Sequence, residues 1–260
     1  MKYRNLDGSG LTFEQDTRLS FDEASHRYKV DDEIELQSVT QLISHFFKPF
    51  DAMFWSLKKC RGNEQEAEKM REQWDMKGVI ASRAGTFMHK QIENYLDTHQ
   101  SPSLVCPIEY HGKYHQESLQ ISIQTEWQYF LSFDTETSYH PFRTEWGIFD
   151  MEAGLAGTID LLCKCNDGTY EMYDWKRSNK VDAAERNHRA HGLNGLEHLT
   201  DTSYVHYCLQ QNLYRYMLEK NYGIKVSRMN LVVLHPDYQN YRIVSVPRMD
   251  KEVRIILSRL

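Results

Sequence analysis

The feature that most limits what this chain can fold into lies at its centre. Gly157–Lys164 and Thr169–Lys176 are two apolar-rich runs, and Asn166-Asp-Gly168 stands between them. An Asp-Gly pair between strand-like runs favours the positive φ of a tight turn, so the two runs are expected to be antiparallel neighbours. A third strand-like run, Tyr139–Asp150, precedes them. Such a hairpin brings Asp160 near Asp174. Residues two apart on a strand point the same way, so Asp174 and Lys176 project together. Two carboxylates and one ammonium are thereby expected in one patch.

Two carboxylates at close range repel unless one is protonated or a cation bridges them. Oxygen ligands with room for water suit Mg²⁺ or Mn²⁺. Such an ion polarises a phosphoryl oxygen and lowers the pKa of water, and a lysine beside it can steady the charge on a phosphate. The combination points to phosphodiester hydrolysis. Taken alone, Asp174-Trp-Lys176 more often marks an exposed ion pair, and Asp160 a strand-end turn residue. Other positions bear on the choice. Gly85-Thr-Phe-Met-His89 reads as a glycine turn and a Thr86 N-cap, with His89 about one turn into the helix that follows. Its plain alternative is a surface or core histidine. Glu145 lies on the strand before Asp160, where a solvated strand residue is the plain alternative. Gln210 and Tyr214, four apart, share a helix face, although a helix carrying Leu209, Leu213 and Met217 must pack in any case.

Leu19–Phe21 and His26–Val30 alternate about Asp22–Ser25 as a hairpin does. Ser38 is an N-cap candidate for a helix over Val39–Phe47. Asn63–Lys77 reads as a charged, solvated helix, and a second helix starts near Thr86. A polar loop covers Thr98–Pro107, and another helix Ser118–Phe133. After the long polar stretch Arg177–Ser203 come a helix at Tyr204–Lys220, strands at Arg228–His235 and Tyr241–Val246, and a helix at Glu252–Leu260. This order predicts an α/β fold, a central mixed sheet flanked by helices. One domain over 1–260 is expected, helical over 38–135 and with its sheet core over 139–246. No apolar run approaches the ~20 residues of a membrane span, and Met1–Asp16 lacks a signal-like apolar stretch. No membrane partner and a cytoplasmic location are therefore expected. The five cysteines, with no second pair beside Cys163 and Cys165, argue for reduced thiols. A net charge of −6 runs against the basic footprint of a nucleic-acid binder. Carboxylates that hold a cation are neutralised by it, however, and basic clusters remain at Lys176–Arg177–Lys180 and Arg186–His191.

Together these residues resemble the PD-(D/E)XK nuclease superfamily, in particular its RecB-like exonuclease branch. The resemblance rests on Gly85-Thr-Phe-Met-His89, Glu145, Gly157-Thr-Ile-Asp160, Asp174-Trp-Lys176 and Gln210-Gln-Asn-Leu-Tyr214, in the family's order and at family-like separations. Gly154–Ser178 is its most specific part. Gln37-Ser-Val-Thr40 looks like the lead-in of phage-type and mitochondrial genome maintenance exonucleases, and the likeness covers roughly Ser38–Val246. It implies a restriction-endonuclease-like core with a helical N-terminal elaboration. It also implies roles. His89, Asp160 and Asp174 would ligate Mg²⁺ or Mn²⁺, joined by the backbone carbonyl of Trp175. Lys176 would be the catalytic lysine, and Glu145 would support the site or bind metal through water. Gln210 and Tyr214 would orient the lysine and contact DNA, with Arg177 and Thr86 as further substrate contacts. Some relatives carry an iron–sulfur cluster; no cysteine follows Cys208 here, so none is expected. No P-loop motif occurs, so a helicase or recombination protein would be a separate partner.

The leading expectation is a metal-dependent DNA nuclease, an exonuclease acting on single-stranded DNA or DNA ends. A catalytically inactive DNA-binding module of a recombination complex is the second reading, and a hydrolase of a small phosphoester, which needs a closed pocket, the third. Trp55, Trp74, Tyr95, Tyr204 and Tyr207 are aromatics that can meet unstacked bases, with core packing as the plain alternative. Arg177–Asp201 is expected to border the DNA channel and to be partly mobile without DNA. The spacing of His188, His191, His198 and His206 matches no zinc pattern.

Overall fold

Leu19–Asp22 (β1) and Arg27–Val30 (β2) pair antiparallel, with Leu19, Tyr28 and Val30 turned inward, as their alternation requires. The computed structural model describes residues 3–22, 25, 27–184 and 190–260. Ile34–Ser38 (β3) follows, and Ser38 caps Val39–Ser44 (α1) through a capping box with Gln41. Ala52–Lys59 (α2) is capped by Asp51. Glu64–Thr98 (α3) then runs for 35 residues, about 52 Å. Val105–His111 (β4) and Gln116–Ser122 (β5) form a separate hairpin, and Gln124–Glu136 (α4) leads into the main sheet. Its strands are Pro141–Asp150 (β6), Leu155–Lys164 (β7) and Tyr170–Lys176 (β8). Ser203–Asn221 (α5), Val226–Val233 (β9), Arg242–Ser245 (β10) and Asp250–Leu257 (α6) complete the chain.

The main sheet runs β1-β2-β3-β7-β8-β9-β10, with β6 also paired to β7. It is mixed: β3 runs parallel to β7 and β8 to β9, while β7 runs antiparallel to both β6 and β8. The expected turn joins β7 to β8, with Gly168 at φ 82°. One sheet face meets α1, α5 and α6 through Ile148, Met172, Leu213 and Val253. The other meets α3 and α4 through Met88, Ile92, Phe130 and Trp175. The architecture is an α/β fold with helices on both faces. Among the described residues no helix is long and apolar enough to cross a membrane.

Two expectations about the N-terminal part need correction. The first concerns Gly85 and Thr86. No turn or N-cap interrupts the chain there; α3 is continuous, and its N-cap is Asn63. A helical glycine costs about 1 kcal/mol. The cost is outweighed by burial of Ala84, Met88, Ile92 and Leu96 along one face. The second concerns the stretch 38–135, which is not purely helical. Cys106, Ile108 and Tyr110 alternate inward on β4, and Ser118–Ser122, read as the start of a helix, lies in β5. Pro107 disguised the strand, since proline inside a strand-like run argues against one. The hairpin is pinned to α3 by Tyr110, which donates to Asp75 at 2.9 Å, and by Glu72, which accepts the Tyr114 and His115 amides.

Candidate metal centre

The site forms where β7 and β8 part. Their ladder pairs Leu161 with Tyr173 and goes no further, while β8 stays with β9 to Lys176. The Trp175 N–H is taken by the Asp160 carboxylate at 2.8 Å. Asp160 thus fills the wedge between the strands, and one of its oxygens is committed to the backbone.

The alternation of β7 also breaks here. Ile159 and Leu162, three apart, both enter the core on the α5 side, whereas Leu161 and Cys163 face α3 and α4. Opposite, between Thr144 (paired with Leu161) and Trp146 (paired with Ile159), Glu145 sits at φ 40°. A non-glycine residue in the left-handed region inside a strand is strained, and such strain gathers at functional sites. The distortion aims the Glu145 carboxylate at Asp160. From α3, His89 completes the group: its Nδ1 lies 3.4 Å from Asp160 Oδ2 and 3.9 Å from Glu145 Oε1. Ligand atoms of His89, Glu145 and Asp160 all fall within 4.8 Å of one another.

Asp174 and Lys176 do share a face, the one toward α5. Lys176 Nζ lies 2.5 Å from Asp174 Oδ2 and 4.3 Å from the centre of the Tyr207 ring. Gln211 Nε2 donates to Asp174 Oδ1 at 3.0 Å. The Lys176 contact is an ion pair without a well-directed hydrogen bond, so Asp174 Oδ2 retains acceptor capacity in a buried setting.

The electrostatics follow from this crowding. Burial, opposed by Lys176, pushes Asp160 up to about 6. Burial does the same to Asp174, again to about 6 against the pull of Lys176 and with Asp160 adding to the rise. Glu145 is raised well above the carboxylate range by burial and by Asp160. Burial and the Lys176 charge hold His89 neutral down to about 4. Burial works against the Lys176 ammonium, but Asp174 and Asp160 outweigh it and keep it protonated. A neutral imidazole nitrogen beside crowded carboxylates that resist ionisation is a donor set for a divalent cation. The set fits the expected ion.

Several expected site residues sit differently from their sequence reading. Among the described residues the ligand cluster contains Glu145, expected in support or as a ligand through water, while Asp174 is held by Lys176 and Gln211. Trp175 is buried, and its carbonyl faces the His89 ring. Arg177 is anchored by its Nε, which donates to the buried Glu126 at 2.7 Å, and it also lines the groove described below. Tyr214 is not open to substrate. It is 4% exposed, accepts from Gln210 at 2.9 Å and packs on Gly157, where an added Cβ would lie 2.3 Å from its ring. The residue that reaches the carboxylates is Gln211, one position on, which sequence reasoning missed. The spacing Tyr207, Gln211, Tyr214 is its signal, since i, i+4 and i+7 share a helix face. Thr86 is exposed and lines the groove described next.

An open groove of about 1530 Å³ runs past the site between α3 and the β1–β2 edge, lined among others by Phe21, Tyr28, Ser82, Thr86, His89 and Lys176. The described ends of the 177–201 segment are packed rather than loose, with Val181 and Leu196 fully buried. Arg186, His188 and Arg189 of the second basic cluster lie outside the described residues. His198 pairs with Glu252 and His206 with Asp201.

The strain at position 145 gives a test. Glycine there is expected to be more stable than alanine by about 1 kcal/mol, the reverse of their usual order in a strand, because only glycine adopts φ 40° freely. Urea unfolding of Glu145→Gly and Glu145→Ala in EDTA measures it; equal stabilities, or alanine ahead, would show that the backbone relaxes.

No family model matches this sequence, and no curated protein matches it. Among solved structures, the chain is similar to one described as "Crystal structure of SSO0001", at TM-score 0.35 and 11% identity, over 86% of this chain and 73% of that one. A likeness this distant says nothing about fold family or function.

Proposed function

We propose that this protein is a metal-dependent DNA nuclease with a restriction-endonuclease-like core of the PD-(D/E)XK type, acting on single-stranded DNA or DNA ends. The observation that carries the reading is the convergence of His89, Glu145 and Asp160 within 4.8 Å, beside the Asp174–Lys176 pair and on an open groove. His89, Glu145 and Asp160 would hold a divalent cation, with Asp174 adjoining. When bound, the ion would supply Lewis-acid activation of a phosphoryl oxygen and of water. The chain's own residues do the rest. Lys176, a fixed ammonium, positions the attacking water or balances charge on the phosphate. Gln211 and Tyr207 fix Asp174 and Lys176 in place. Asp160 links the site to the β8 backbone.

The groove favours a polymer over a small phosphoester. Pockets for small molecules span about 300–1,000 Å³, and this groove exceeds that range at about 1530 Å³. A chain of this kind would act on ends exposed by a separate helicase or recombination protein.

The test is digestion of end-labelled single- and double-stranded DNA, with closed circular DNA alongside. Cleavage is expected with Mg²⁺ or Mn²⁺ and none in EDTA. Mn²⁺ is expected to suffice at lower concentration, because Mg²⁺ gives up its waters to protein ligands reluctantly. Circular DNA should resist an exonuclease. Cleavage that persists in EDTA, or no cleavage of any substrate by folded protein with either metal, would overturn the reading.

A further inference from the structure

A second cavity, of about 610 Å³, adjoins the catalytic groove and shares Gly78 and Ala81 with it. We propose that it receives an unstacked base of single-stranded DNA whose backbone continues along α3 to the metal centre. The inference rests on the nuclease reading and names its substrate class.

The cavity is walled by Phe50, Trp55 and Trp74 and rimmed by Lys59, Lys77 and Lys180. Phe50 is 68% exposed, which is unusual for so large a ring. It meets Trp74 edge-on at 5.7 Å, and the Lys59 ammonium lies 5.3 Å from the Trp74 ring centre. Trp74, Lys77, Gly78 and Ala81 fall at i, i+3, i+4 and i+7 of α3, and Gly85 and His89 continue the same face. One helix face therefore joins the aromatic cavity to the candidate metal ligand. From Trp74 to His89 is about 22 Å along the axis, at most six or seven nucleotides at the roughly 3.4 Å spacing of a stacked strand.

Charge selects the occupant. The chain carries a net charge of −6, yet among the described residues three lysines and no carboxylate line this cavity. A phosphate backbone would pair with those ammoniums, whereas an apolar protein surface would desolvate them without a partner. Aromatic walls need a free base face, which a single strand offers and a stacked duplex does not.

The experiment measures binding of a labelled oligothymidylate of about sixteen nucleotides, the upper end of single-strand site sizes, by fluorescence anisotropy in EDTA. Phe50→Ala and Trp74→Leu are expected to weaken binding roughly ten- to hundredfold. Met53→Ala, which removes an exposed side chain of α2 outside the cavity, is expected to change nothing. Thermal melts establish that each variant is folded. Unchanged binding by both cavity variants overturns the inference even if the protein cleaves DNA. Patch-dependent binding without metal-dependent cleavage upholds it and overturns the nuclease reading instead. Equal sensitivity with a duplex of the same length overturns the single-strand assignment. A change of oligomeric state in Phe50→Ala, with no loss of binding, makes the cavity an interface between copies and also overturns it.

Discussion

Lys176→Ala is expected to slow metal-dependent DNA cleavage by roughly 10³-fold while leaving the affinity for Mn²⁺ unchanged or tighter. The two halves of this expectation have separate causes. In the folded chain Lys176 is the positive charge closest to Asp174, at 2.5 Å, and it is steadied over Tyr207. An ammonium held there can meet an anionic phosphate as charge builds, and its removal takes away that stabilisation. The same ammonium repels an incoming cation, so its loss does not weaken the metal site. Without it, the pKa values of Asp174 and Asp160 should rise further, and the metal-free protein takes up a proton rather than unfolding. Lys176→Arg should recover little, because a planar, delocalised guanidinium does not reproduce a compact ammonium. Single-turnover cleavage rates and calorimetric Mn²⁺ titration separate the two quantities. A rate within tenfold of wild type would remove Lys176 from the chemistry. A matching loss of metal affinity would make it a structural partner of the carboxylates.

Much of this centre could be read in the sequence because it depends on local rules. The Asp-Gly turn set the β7–β8 hairpin, and period-two alternation put Asp174 and Lys176 on one face, as their ion pair shows. What could not be read depends on contacts between elements. The break in alternation at Asp160 and the positive φ of Glu145 arise together where three strands meet, and neither residue type announces it. Glu145 therefore reads from sequence as a supporting or water-bridged residue, whereas it stands directly among the potential ligands. The Arg177–Glu126 bond was likewise not legible, because Glu126 lies 51 residues away on α4. At Gly85 a local breaker signal lost to the tertiary burial of Met88 and Ile92.

Asp160→Asn is expected to reduce cleavage by more than the roughly 10–100-fold that loss of a ligand's outer partner costs, and at the same time to make the metal-free protein more stable at pH 8. Asparagine can still accept the Trp175 N–H, which Asp160 now does at 2.8 Å, so the wedge between β7 and β8 keeps its backbone link. The stability gain follows from the sign of the pKa shift. Asp160 titrates near 3.8 in an unfolded chain and, through burial, near 6 in the folded one. Between those values folding takes up a proton, so the wild type gains stability as the pH falls from 6 toward 4. Above 6 it carries the full cost of the buried charge, on the order of 1–3 kcal/mol. His89 acts with the opposite sign. It is held neutral to about 4, so its contribution is complete above 6.5 and fades as the pH falls. Because His89 is present in both proteins and its shift comes from burial and Lys176, it largely cancels in the comparison. Urea unfolding in EDTA should show the variant ahead at pH 8 and level with wild type by about pH 4, and Mn²⁺ should stabilise only the wild type. A variant no more stable than wild type at pH 8 would mean that Asp160 is not the strained charge described here; Mn²⁺ stabilisation of the variant equal to that of wild type would place the cation elsewhere.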